Sequence, residues 1–419
     1  MKLAKMSLVA ALLLGTSVYA IDNVKVSGDA KLFYGTQGES LNGDPEIDIF
    51  DKDASYADVG LRLGVTADLT EGVSAGATFL AVSTLGLENN LVSGVWSGAH
   101  EVPNGAVDDA SWFADAWIAG TAGKTTAKVG RQTLETPLVF TETWSVDYNS
   151  FEAAVVINED IPDTTLVGAY IGKSNGFTSD PNSGANIGSI TSAGGKFNSF
   201  YDGAYMAGVT NNSFAPLTAQ AWYYDLQSYS KAYWLQADLD MEGIIAGAQY
   251  TNISYDTVGD KDNTAYGLKL GYAIPDMVTI TAAYSSVDDD AAGNSDDSAN
   301  GVVNFATNGQ GAGSASSLYT EMWWWFNTSS LPGADTFAVT FEGTAAEVDL
   351  FLGLYSSDIQ VAGGTTDEVD EITFTASKSF GPLDTSIALI YDMFDTDAAK
   401  GTDYMEDLAT FQLYLTYNF

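Results

Sequence analysis

The sequence predicts an all-β protein: a transmembrane antiparallel β-barrel of about 18 strands, preceded by a cleaved signal peptide. Three observations carry that expectation. Apolar and polar residues alternate in segments of about ten residues, the length a tilted strand needs to cross a bilayer. The chain opens on an export leader, and no later apolar run approaches the roughly 20 residues of a membrane helix. Connectors between the alternating segments are short, then long, then short along the whole chain.

The leader comes first. Lys2 and Lys5 precede an apolar stretch from Leu8 to Leu14, and Ser17-Val-Tyr-Ala20 offers small residues where a signal peptidase inspects the chain. Cleavage after Ala20 makes residues 1–20 the signal peptide and 21–419 the barrel; a buried N-terminal helix is the competing reading. In the first strand Val24, Val26, Ala30 and Leu32 alternate with Lys25, Ser27, Asp29 and Lys31. Val59 to Leu69 follows the same rule, and Thr70-Glu71-Gly72 turns the chain into Val73–Thr84. Further candidates are Trp112–Gly120, Thr125–Arg131, Phe151–Ile157, Thr164–Gly172, Phe200–Val209, Leu217–Tyr224 and Lys231–Leu239. They continue with Ile244–Ser254, Thr264–Tyr272, Val278–Val287, Leu318–Phe326, Asp335–Glu342, Val348–Tyr355, Ile372–Phe380, Leu383–Asp392 and Leu408–Phe419. A single-chain barrel needs an even number, so one of these nineteen is false. Leu318–Phe326 and Asp335–Glu342 are the suspects, because Trp323-Trp324-Trp325 does not alternate.

The last strand is the clearest. Phe411, Leu413, Leu415, Tyr417 and Phe419 share one parity, opposite Thr410, Gln412, Thr416 and Asn418, with Tyr414 the bulky exception. It resembles the C-terminal signal by which the barrel-assembly machinery recognises outer-membrane proteins. Short connectors such as Asn158–Asp163, Asp240–Gly243 and Ile274–Met277 read as periplasmic turns. Gln37–Ser55, Gly86–Asp109, Lys173–Ser199 and Asp288–Ser317, rich in Gly, Ser, Asn and Asp, read as outer loops.

Charge narrows the partners. The mature chain carries 55 acids against 14 bases, so nucleic acid is excluded by repulsion from its phosphates. Small hydrophilic solutes, cations, and outer-membrane lipid and lipopolysaccharide bridged through divalent ions fit better. No cysteine is present, which excludes disulfide and thiolate chemistry. His100, the one histidine, lies in a long outer loop without a Ser or Cys motif, so no enzyme and no cofactor is expected. Asp288, Asp290 and Asp296 echo a calcium loop whose bidentate carboxylate is missing, leaving weak Ca2+ binding against a solvated acidic loop.

Specific residues then suggest a family. Gly130-Arg131-Gln132-Thr133-Leu134-Glu135-Thr136-Pro137-Leu138, with the leader and the terminal Phe, resembles the OprD-like porins. Leu318-Tyr-Thr-Glu-Met-Trp-Trp and the acidic balance resemble the major outer membrane porins of Campylobacter and relatives. The resemblance implies a trimeric eighteen-stranded barrel passing small hydrophilic solutes, with a cation preference, and a third loop at 131–150 that folds inward to narrow the pore. The arginine ladder of substrate-specific members is absent, since Arg62 and Arg131 are the only arginines.

A barrel of this size encloses water, and charges projecting into it set selectivity. Strand parity assigns Asp29, Lys31, Asp58, Arg62, Asp68, Asp115, Lys128, Glu152, Asp202, Asp238 and Lys269 to the lumen, and the inferred third loop adds Arg131, Glu135, Glu142 and Asp147. The expected constriction sets Arg62 and Arg131 on one wall against Glu142 or Asp147. A register slip would invert any such face. Tyr170, Tyr205, Tyr272 and Tyr284 suit an interfacial girdle, and Trp323 to Trp325 read as an interface anchor in preference to a sugar-stacking surface. A general channel is the leading reading; a solute-specific channel, or an adhesin acting through the acidic outer loops, are the alternatives.

Overall fold

An unpaired backbone amide in hydrocarbon costs several kcal/mol, so a sheet that enters a bilayer must leave no edge. The chain meets this constraint by pairing its first strand with its last. The computed structural model describes residues 21–38, 48–83, 85–86, 92, 109–177, 190, 193–256, 262–288, 301–307, 315–361, 365–396 and 407–419. The signal peptide at 1–20, His100, Asp290 and Asp296 lie outside the described residues.

The strands are β1 (Asp22–Gly38), β2 (Ser55–Thr70), β3 (Val73–Ser83), β4 (Ala110–Ala122), β5 (Thr125–Gln132), β6 (Phe151–Asn158), β7 (Thr164–Ser174), β8 (Asn198–Phe214) and β9 (Leu217–Leu226). They continue as β10 (Ser230–Met241), β11 (Ile244–Tyr255), β12 (Asn263–Ile274), β13 (Val278–Val287), β14 (Ala334–Ala345), β15 (Val348–Val361), β16 (Thr365–Phe380), β17 (Leu383–Thr396) and β18 (Leu408–Asn418). All 18 form one antiparallel sheet in which each strand pairs with its sequence neighbours and β1 also pairs with β18. The closed eighteen-strand barrel expected from the sequence is what the chain forms.

At the closure, Gly28 and Phe419 exchange both backbone hydrogen bonds, at 2.9 and 3.0 Å. Gly28 is required there because a Cβ would meet the Arg62 carbonyl and stand 2.8 Å from the Phe419 ring. Tyr417 and Phe419 remain about half exposed on the outward face, at 50% and 56%. Tyr414, the exception in the alternation, points inward and packs on Phe33 at a ring separation of 4.8 Å. Its bulk is spent in the lumen.

Outward parity is mostly apolar. Ile118, Val129 and Val156 share one face at 50%, 54% and 45% exposure, and Tyr170, Tyr205, Tyr272 and Tyr284 stand outward as the girdle pattern expects. Tyr170 packs on Tyr205 at a ring separation of 5.2 Å, and the exposed remainder of this face is what a lipid-facing surface requires.

Two sequence expectations fail in the same place. Leu318–Phe326 forms no strand, whereas Asp335–Glu342 lies within β14. Asp288–Ser317, expected as an outer loop, sends its residues 301–307 into the protein, where all of them are buried. Both belong to the 288–333 connection, the seventh at the outer end. Strand β16 begins at Thr365, seven positions before the alternating apolar run, because its pairing with β15 and β17 continues through Asp367, Glu368 and Asp370.

The closure yields a prediction. Phe419→Ala is expected to lower the amount of heat-modifiable protein recovered in membranes several-fold, with little change in the conductance of channels that do insert. Gly28→Val is expected to do the same through the clash with the Phe419 ring. Normal insertion of both variants would contradict the role given to this seam.

Candidate functional site

The third outer connection, residues 133–150, turns into the barrel. Its first half doubles back on itself through Thr141 N–H to Leu134 C=O at 2.8 Å and a bridge between Glu135 and Phe140. Leu134, Leu138 and Val139 bury against the inward residues Phe151, Ala153, Val155, Ile171 and Tyr224, so apolar contact holds this half to the wall of β6 to β9. Asn149 fixes the return by accepting from Glu142 N–H at 2.7 Å and donating to Phe140 C=O at 3.0 Å. The second half crosses to the opposite wall. There Tyr148 donates to Asp115 at 2.7 Å, Lys31 donates to Ser145 C=O at 3.2 Å, and Val146 covers Gly60.

The seventh connection, 288–333, meets the third loop inside the lumen. Asn304 donates to Phe140 C=O and to the Glu142 carboxylate, both at 2.9 Å, while Phe305 N–H donates to Leu138 C=O at 2.9 Å. Thr307 adds a bond to Glu142 at 3.0 Å, and Ser317 donates to Pro137 C=O at 2.8 Å. Further along, Trp323, Trp324 and Trp325 present three successive backbone N–H groups to the Glu371 carboxylate on β16, at 2.7, 2.8 and 3.0 Å. Thr373 supplies a fourth donor to Glu371 at 2.7 Å. Glu371 is fully buried, and hydrogen bonds to a charged group contribute about 1.5–3 kcal/mol each. The tryptophans are therefore a latched lumen segment, and the interface-anchor expectation is corrected. Trp144 of the third loop meets Trp324 edge-on at 6.3 Å.

The predicted selectivity residues separate into three groups. Asp58, Arg62, Asp115 and Lys128 face the lumen. Arg62 pairs with Asp29 of its own wall at 2.6 Å and lies 5.7 Å from the Tyr148 ring. Lys128 sits 4.5 Å over the Trp117 ring, and Asp58 is buried opposite Phe33 in the register. Glu135, Glu142 and Asp147 lie on the third loop, but only Glu135 is exposed. Glu142 is a structural acceptor, 4% exposed, rather than a partner for Arg62. Asp147 is buried within electrostatic reach of Lys31.

Arg131 and Glu152 form the third group and correct the expectation. They pair in register with each other and with Ala116, on the outward side with Val129 and Val156. Lys128 and Arg131 are an odd number of residues apart, so a regular strand cannot turn both inward. Arg131 instead holds Glu152 at 3.0 Å, Lys173 approaches the same carboxylate at 3.6 Å, and Phe197 covers the guanidinium at 3.9 Å. A base on the lipid face costs about 2–4 kcal/mol at mid-membrane but only about 0–1 near the interface. Arg131 stands one residue from the outer end of β5, where that cost is small.

Asp238 and Lys269, assigned to the lumen by strand parity, close there at 2.9 Å with Tyr319 donating to Asp238 at 2.7 Å, whereas sequence reasoning missed Asn304, Glu321 and Glu371. The failure of Trp323–Trp325 to alternate was the available signal for the inward turn.

Two predictions follow from the latch. Glu371→Ala is expected to free the tryptophan segment and raise single-channel conductance without loss of the heat-modifiable barrel; unchanged conductance would contradict the latch. Glu321, on the same loop, has its carboxyl pushed up to about 8 by burial, with Glu142 adding to the rise and Ser316 N–H opposing it. The docked loop therefore holds a proton that a free glutamate, at 4.5, releases. Docking is firmest below that lower value and weakens as pH rises from 4.5 to about 8. Conductance is expected to rise across this window, and Glu321→Gln to abolish the dependence. A Glu321→Gln channel that follows the wild-type pH curve would refute the assignment.

Comparison with known proteins fits this geometry. A family model described as Gram-negative porin matches residues 7–310. No curated protein sequence matches. Among solved structures, Acinetobacter baumannii OccAB1 is similar at TM-score 0.72 and 13% identity, covering 95% of this chain and 97% of that one. Pseudomonas aeruginosa OpdK with vanillate gives 0.70 and 12%, covering 96% and 100%. Pseudomonas aeruginosa OccK8 (OprE) gives 0.69 and 16%, covering 96% and 99%. At such identities the structures establish a shared fold, and the family match adds the rest: the chain belongs to the Gram-negative porins, and is an outer-membrane barrel whose channel passes small solutes.

Proposed function

We propose that this porin prefers cations and carries no chemical step, its selectivity set by lumen carboxylates that no base neutralises locally. One observation carries the reading. Among the inward bases, Arg62 and Lys269 are each paired with a wall carboxylate, Asp29 and Asp238, and Lys31 and Lys128 lie within electrostatic reach of Asp147 and Asp115. Glu342 and Asp349, by contrast, line an open part of the lumen that includes no lysine or arginine. Low-dielectric walls strengthen the field of such charges and raise the local cation concentration. The acidic excess of the whole chain acts in the same sense.

The resemblance to OprD-like and Campylobacter porins adds a trimeric assembly to this reading. The acidic outer segments add contact with lipopolysaccharide phosphates through divalent ions, with Ca2+ at Asp288, Asp290 and Asp296 as one such contact. The outward-facing terminal strand supports delivery by the barrel-assembly machinery.

The test is a reversal potential. In a planar bilayer with a KCl gradient, the channel is expected to favour K+ over Cl−, and less so as salt rises toward 1 M, where the screening length falls to about 3 Å. Glu342→Gln combined with Asp349→Asn is expected to shift the potential toward zero. Chloride preference in the wild-type channel would overturn the proposal.

A further inference from the structure

Below the latched tryptophans, toward the short-turn end of the barrel, the lumen wall holds a cavity of about 450 Å³. Trp323 is 40% exposed and tilts over Phe351 with ring centroids 5.8 Å apart, forming a continuous aromatic surface. Glu342 and Asp349 border that surface: Glu342 is opposite Phe351 in the β14–β15 register, and Asp349 lies two residues from Phe351 on the same face of β15. Thr375, opposite Phe351, and Ser377, opposite Asp349, add hydroxyls from β16. The Glu371 latch fixes the backbone of Trp323, so the aromatic surface is held in place before any solute arrives.

We propose that this cavity is a binding subsite for small amino sugars, protonated amines carried on a hydroxylated ring. The inference rests on the cation-preferring reading and names a solute class for it. Each part of the cavity answers a part of that ligand. The carboxylates attract the ammonium, and the aromatic faces attract it further through their negative quadrupole while packing against the C–H face of the ring. Threonine and serine hydroxyls can donate to or accept from the sugar hydroxyls. A hydrated metal ion would gain nothing from the aromatic surface, and an uncharged sugar could donate hydroxyls to the two carboxylates but would leave their charge unbalanced. An anionic solute is repelled.

The experiment uses the full-length channel in a planar bilayer at pH 6, with glucosamine and N-acetylglucosamine as matched probes. Glucosamine is expected to interrupt the current in a saturable way, and N-acetylglucosamine, which lacks the charge, is not. Trp323→Ala and Asp349→Asn are each expected to raise the half-blocking concentration about tenfold, equivalent to ~1.4 kcal/mol. Because Trp323→Ala keeps the backbone N–H that Glu371 holds, and Asp349 is exposed, heat-modifiable migration checks that both variants fold. Equal action of the two sugars, or unaltered block in both folded variants, would overturn the subsite. Retained K+ preference without glucosamine block overturns the subsite alone; a wild-type channel that prefers Cl− overturns the reading beneath it as well.

Discussion

The whole architecture depends on one constraint: a sheet in hydrocarbon must have no unpaired edge. It forces β1 against β18, and the Gly28–Phe419 pair is where the chain satisfies it last. Closure then gives each strand two solvents. Residues one apart meet acyl chains or water, and the apolar outward parity is a direct consequence. An eighteen-strand ring is too wide for wall side chains to fill, so the interior has to be occupied by something else or left wet.

Here it is partly occupied by two loops that hold one another. Their backbone polar groups, buried away from bulk water, need partners, and acidic side chains supply several of them. Glu142 serves the seventh loop from the third, and Glu371 serves three amides from the wall. These carboxylates are structural, because their charge is spent on hydrogen bonds. The acids left to act on passing solutes are those such as Glu342 and Asp349, farther from the loop junction. A large negative net charge thus divides between scaffold and selectivity, and composition alone does not show the division.

The barrel was legible in the sequence because its signal repeats in every strand. Parity in Phe411 to Phe419 and the odd count of nineteen candidates were enough to expect eighteen strands and to suspect Leu318–Phe326. The site was less legible. Faces of Asp58, Arg62, Asp115 and Lys128 followed from regular alternation. Glu152, however, was assigned inward as the polar parity of its strand, and that parity faces out because the third loop buries the apolar set Phe151, Ala153 and Val155 in the lumen. Arg131, read as the base of that loop, shares the outward face. Glu142 was recognised as a third-loop residue and given the wrong partner, since its contacts are with Asn304 and Thr307, more than 160 residues away. No local pattern encodes such a contact. The tryptophan run broke the alternation, which marked it as non-strand without saying that it enters the lumen.

Adjacent positions on β5 offer the most direct test of the two-solvent claim. The chain has no cysteine, so Lys128→Cys and Val129→Cys each introduce a single thiol. In the reconstituted protein, a membrane-impermeant maleimide should label the thiol at 128, while a fluorophore at 129 should be quenched by lipid-borne spin labels. Quenching at 128 with aqueous labelling at 129 would contradict the account.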